Sequence, residues 1–172
     1  MITFFSSTLK VYVKHLTLSK ISFIVSIAII MIEKIVYTDK VKTTLLMRLM
    51  VGVVFLSEGI QKFLFSGVRG AGRFEGIGLP NPEFLGAFVG GFEVLCGAFI
   101  LMGLFTRLAA IPLIIIMLVA ISTTKVDILM EKGFWEMMHA SRTDWSMMLG
   151  SIFLLIKGGG FGSLDYYWSK KN

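Results

Sequence analysis

Five ionisable side chains lie in or at the ends of long apolar runs: Arg48, Glu58, Lys62, Glu93 and Arg107. A charge at bilayer depth costs at least about 2.5 kcal/mol unless it is paired or reaches water. Two kinds of chemistry suit such a group. It can hold a polar or quinone-like head group or relay protons, or it can fix helix register as internal salt bridges. Glu93 is the sharpest case, because it sits near the middle of the apolar stretch from Phe84 to Arg107. Arg48 and Arg107 lie near the ends of their runs, where a long side chain can snorkel. Glu58, Lys62 and Glu93 are the deeper members, and Glu58 and Lys62 form an i,i+4 pair in the favourable order.

A second polar group is Glu136, His139, Arg142 and Asp144. Positions 136, 139 and 142 recur at helical spacing, which predicts one face of an interfacial helix. A metal centre is a weaker reading. Glu136-x-x-His139 occurs once, whereas carboxylate-bridged dimetal bundles require Glu-x-x-His on facing helices, and the other histidine, His15, lies in a remote N-terminal stretch. Cys96 is the single cysteine, three residues from Glu93, so it predicts packing in the same interior. Dithiol chemistry is excluded within one chain, so electrons in any redox role must sit on a bound cofactor or a partner.

These residues must be positioned by helices. Of 172 residues, 55% are hydrophobic and only 16% charged, with a mean hydropathy of +0.80. Soluble domains carry about 25% charged residues. Alternating segments of a membrane β-barrel are missing, so the composition predicts an all-α polytopic membrane protein. The net charge is +6, but the cations lie between apolar runs and form no groove-sized cluster, which argues against nucleic acid.

Along the chain, residues 1–42 form an N-terminal extension. Its run Ile21–Ile32 extends to 16–36 if Lys20 and Lys34 snorkel, and predicts an interfacial or docked helix. An extra spanning helix and a dispensable leader are the alternatives. Spans are expected at about 43–65, 84–104, 107–123 and 137–157, the last only if helix begins upstream of Trp145. Pro112 is expected within the first turn or so of its helix, where proline is tolerated. Between the first two spans, the glycine-rich stretch 66–83 predicts a structured loop, with Asn81 or Pro82 opening the next helix. By the helical count, Phe55, Glu58 and Lys62 lie within about 80° of Arg48. Gly86, Gly90, Glu93 and Gly97 share another face, where small residues let a neighbouring backbone approach. The fold class is a polytopic membrane four-helix bundle with an additional N-terminal hydrophobic helix.

Four spans place both termini on one side. That side then holds eleven Lys and Arg residues and the other side six, which predicts a cytoplasmic C-terminus. The basic tail 166–172 carries Tyr166, Tyr167 and Trp168, suited to an interface anchor.

Three motifs in order resemble the DoxX/DoxD family of small bacterial membrane proteins. The first is Arg48, Gly52 and Gly59-x-x-Lys62. The second is Glu93 and Gly97, followed by Leu101-x-Gly103-Leu104-Phe105-Thr106-Arg107. The third is the tail Gly158-Gly159-Gly160-Phe161-Gly162-Ser163-Leu164-Asp165, with Gly159 where the family usually has proline. The resemblance covers about 43–165. It implies a four-helix domain in the bacterial inner membrane, and association with quinone-linked redox systems that handle sulfur compounds or oxidative stress. A quinone is the implied cofactor, and redox-protein subunits and membrane lipid are the implied partners. No catalytic motif of the chain's own is evident. A small proton-coupled transporter using the same charges and a purely structural assembly partner are the competing functions.

Overall fold

A computed structural model describes residues 23–27, 30–31, 33, 35–38 and 40–171. The chain divides into two units, 1–35 and 36–172. In the first, residues 23–27 are helical and exposed. The helix expected over 16–36 therefore lies partly outside the described residues.

The second unit is helical throughout, with no strand among its described residues. Helix α1 is Thr44–Leu64, followed by the short α2, Ser66–Arg69, and α3, Ala71–Gly76. The loop expected at 66–83 thus contains two helical turns, separated at Gly70. Helix α4 is Pro82–Met102, opened by proline in its first turn, where the missing N–H has no intrahelical partner to lose. It ends at Gly103, which has a φ of 66°. The Gly103 N–H bonds Ile100 O and the Leu104 N–H bonds Phe99 O, the paired bonds of a Schellman stop. A three-residue link then leads into α5, Thr106–Thr124. Next come α6, Val126–Lys132, α7, Phe134–Ala140, α8, Arg142–Lys157, and α9, Leu164–Lys171.

Two expectations are corrected. Pro112 stands in the second turn of α5, because the helix begins at Thr106. There it removes one i→i−4 bond, at Leu108 O. The span expected over 137–157 is interrupted at Ser141. The Ser141 hydroxyl donates back to Met137 O at 2.7 Å, the same carbonyl that accepts the Ser141 N–H. Helix α8 keeps 16 residues, about 24 Å, short of a hydrocarbon core of about 30 Å.

Among the described residues, three helical stretches are long and apolar enough to cross a membrane: Thr44–Leu64, Pro82–Met102 and Thr106–Lys132. Helix α1 packs chiefly on α4, and α5 chiefly on α8, while α4 touches α5 and α1 touches α8. Val51, Phe55, Ile100, Ala110, Leu113 and Leu154, drawn from all four, share one buried core. Large apolar side chains such as Leu46, Val53, Phe88, Leu95, Ile115 and Leu118 are exposed. In water that belt would be an aggregation surface; against acyl chains it is solvated.

The α1–α4 contact is built on facing glycines. A Cβ on Gly59 would stand 2.7 Å from Val94 N and 2.8 Å from Gly90 O. One on Gly97 would stand 2.7 Å from Leu56 N and 3.1 Å from Gly52 O. The two backbones therefore touch on either side of Glu93, and no larger residue fits at these crossings.

Candidate functional site

The crossing delivers Glu93 to α1. Lys62 Nζ donates to Glu93 Oε2 at 2.6 Å, and the two side chains are 11% and 3% exposed. This is the one hydrogen bond joining them, so two Nζ protons and the second carboxylate oxygen remain for another group. Glu58 lies half-buried one turn from Lys62 on α1. Glu58 and Arg73, from α3, are close enough to act electrostatically on Glu93. Lys62 thus pairs across the helix interface with Glu93, where the sequence suggested an i,i+4 pair with Glu58.

Arg48 is elsewhere. It lies about 21 Å along α1 from Lys62 and is 2% exposed. Its Nε donates to Ile100 O at 3.0 Å, Nη2 to Leu101 O at 2.6 Å and Nη1 to Gly159 O at 3.3 Å. Ile100 and Leu101 belong to the last turn of α4, where Ile100 O has the Gly103 capping bond and Leu101 O has no helical partner. A guanidinium there answers those acceptors and the negative end of the helix dipole. Gly103 is required twice, by its positive φ and because its Cβ would stand 2.7 Å from Arg48 Cζ.

The tail motif closes the same end. Asp165 is 1% exposed. It accepts the Phe105 N–H at 2.8 Å and the Thr106 N–H at 2.9 Å, capping the start of α5. Its own N–H donates to Gly103 O. Ser163 caps α9 by accepting the Tyr166 N–H at 3.0 Å. A Cβ on Gly159 would meet Thr106 Oγ1 and Ser163, so this glycine fits the contact. Burial pushes the Asp165 carboxyl above the ordinary aspartate range, opposed by its amide donors and by the charge of Arg48.

The five charges therefore form two groups. Lys62 and Glu93 meet, with Glu58 nearby; Arg48 serves the opposite end. Arg107 is half-buried and donates to Tyr37 O at 3.1 Å. Asp165 and Arg73 complete the two groups, though neither lies inside an apolar run, which is the signal that singled out the others. In the second constellation, Arg142 bonds His139 Nε2 at 2.8 Å on the exposed surface. Asp144 turns away to pair with Lys125 at 3.2 Å, and Glu136 is exposed on α7. Among the described residues, no three His, Cys, Asp or Glu side chains converge. Cys96 is buried in the common core.

Comparison with known proteins adds the lineage. The DoxX family model matches residues 43–126, which holds the first two motifs and stops short of the tail. An uncharacterized membrane protein of Mycobacterium tuberculosis, Rv3486, is 46% identical over 144 residues, 80% of this chain and 88% of that protein. A Bacillus subtilis protein named putative oxidoreductase CatD is 31% identical over 132 residues, 75% of this chain and 90% of that protein. No solved structure matches. The chain is an all-α membrane protein, and on the strength of these matches it belongs to the DoxX family.

Proposed function

We propose that the protein is a membrane subunit or accessory of a quinone-linked redox complex handling sulfur compounds or oxidative stress. Its site is the Lys62–Glu93 pair. The observation that carries this reading is the pair itself: a carboxylate and an ammonium enclosed between apolar helices, joined by one bond, with donor and acceptor capacity left over. A quinone head group offers two carbonyl acceptors, and its reduction requires protons. The ammonium can donate to one carbonyl, and the carboxylate can take or release a proton. Arg48, by contrast, spends its donors on backbone carbonyls that cannot exchange a proton. The name of the Bacillus subtilis relative points in the same direction. The protein belongs in the bacterial inner membrane with its C-terminus cytoplasmic, since the basic end of the bundle carries that terminus.

The test is binding of a quinone analogue to the chain purified in mild detergent. Glu93→Gln is expected to weaken binding at least tenfold, while Leu95→Ala on the exposed face leaves it unchanged. If Glu93→Gln instead speeds or stops proton-coupled solute flux in proteoliposomes and leaves quinone binding intact, the site serves transport. If it changes only stability or recovery of a complex, the pair is structural.

A further inference from the structure

The end of the bundle that Arg48 closes is basic and aromatic on its outside. Lys40, Lys42 and Lys170 are exposed there. The carboxylate of that end among the described residues, Asp165, is buried on the α5 cap; in the sequence, Asp39 is the one other acid of these segments. At the opposite end the exposed cations Arg69, Arg73, Lys132 and Arg142 are offset by exposed Glu75, Glu83, Asp127, Glu131 and Glu136, so the net positive charge lies on the Arg48 side.

The segments that carry them are fixed to one another. The Phe161 N–H donates to Val41 O at 3.3 Å, and Lys42 Nζ stands 5.7 Å above the Phe161 ring. Phe161 in turn packs on Tyr166 at 5.4 Å, and Trp168 on Phe105 at 5.9 Å between ring centroids. Asp165 pins α9 to the bundle, so its outer face is set. By the helical count, Leu164, Tyr167 and Trp168 lie within about 100° of one another on that face, and all three are exposed. An apolar and aromatic helix face flanked by lysines, at the ends of membrane-crossing helices, has the character of an interfacial helix.

We infer that α9 and the Lys40–Lys42 segment form a rim that binds the headgroups of anionic phospholipids. The aromatic rings sit at headgroup level, and Lys42 and Lys170 meet the phosphates. A phosphate anion is matched by the charge, and the adjoining apolar belt selects one that carries acyl chains. This rim lies at the other end of the bundle from the Lys62–Glu93 pair and does not depend on that pair's role.

The test is native mass spectrometry of the full chain in mild detergent with phosphatidylglycerol or phosphatidylcholine added. The wild type is expected to retain phosphatidylglycerol preferentially. At about fivefold for each cation near a membrane surface, the double variant Lys42→Gln, Lys170→Gln loses that preference about 25-fold. Lys132→Gln, at the opposite end, changes it less than twofold. Trp168→Ala, which keeps every cation, weakens retention of both lipids alike. The proposal is overturned if the wild type shows no headgroup preference, if Lys132→Gln matches one half of the double variant, or if millimolar inorganic phosphate displaces the lipid.

Discussion

Arg48 and Lys62 stand on one helix, about four turns apart, and both are drawn out of water into the bundle. Their partners differ in kind. Arg48 faces backbone carbonyls at the end of α4 and in the tail. Those acceptors cannot titrate or leave, and a planar fork of donors suits several fixed oxygens at once. Lys62 faces one carboxylate that can change its protonation state. The first arrangement is a fastening; the second, on the proposed reading, exchanges a proton or a ligand. Burial of a charge therefore does not identify a site in this bundle. The nature of the partner is what separates the proposed site from the fastening.

The largest effect should come from the fastening. Arg48→Met leaves the Leu101 and Gly159 carbonyls without the Arg48 donor and Ile100 O with its Gly103 bond alone, at a cost of about 3–5 kcal/mol. It should appear as a loss of monodisperse protein in detergent and a melting temperature lower by several degrees. Arg48→Lys should restore little, since one ammonium cannot reach three carbonyls in a fork. Full rescue by lysine would show that charge alone matters at this end.

The Lys62 end should respond differently. Lys62→Met strands the Glu93 carboxylate and should cost about 3 kcal/mol. Adding Glu93→Leu removes the stranded charge, and the double variant should return to within about 1 kcal/mol of the wild type. Thermal melts of the two single variants and the double complete the cycle. Recovery of stability with loss of quinone-analogue binding would separate the pair from the fastening. Failure of the double variant to recover would make Lys62–Glu93 a second fastening.

Much of this division could be read from the sequence, and the missing part has a physical cause. Glycines at 86, 90 and 97 on the face of Glu93 disclosed a close crossing, because small residues at helical spacing have few other uses between membrane helices. The end of that span, expected at about 104, was equally legible. The partners of the charges were not. Helical angles place Arg48, Glu58 and Lys62 on one side of α1, but depth along the axis separates Arg48 from Lys62. The acceptors of Arg48 are carbonyls, which every residue carries, so no residue type announces them. The role of Asp165 needed the tail to fold back across about 60 residues of chain onto the α4–α5 link, a distance over which periodicity says nothing.

A smaller effect is expected at the tail. Asp165→Ala removes the acceptor for the Phe105 and Thr106 amides and should cost about 1–2 kcal/mol, the usual value of a helix cap. A melting temperature lowered by less than that of Arg48→Met would rank the two parts of the fastening. Lys125→Gln, which breaks the partly exposed bridge to Asp144, should fall within about 1 kcal/mol of the wild type.

The smallest effect bears most directly on the claim that the partners at the Arg48 end do not titrate, because Asp165 is the one member of that end that can. Burial raises its carboxyl in the folded chain above the ordinary aspartate range. An acid with a raised folded pKa binds more protons when folded than when unfolded over the interval between the two values. Its contribution is therefore fully present below the unfolded pKa and is lost as pH rises through the folded one. Melting temperatures measured from acid pH to neutrality should show the wild type losing ground to Asp165→Asn across that interval and then running parallel to it. A wild type that gains on Asp165→Asn as pH rises would mean that the two amides and Arg48 outweigh burial. In that case the ionised carboxylate is itself part of the fastening, and the contrast between the two ends would rest on Arg48 and its carbonyls alone.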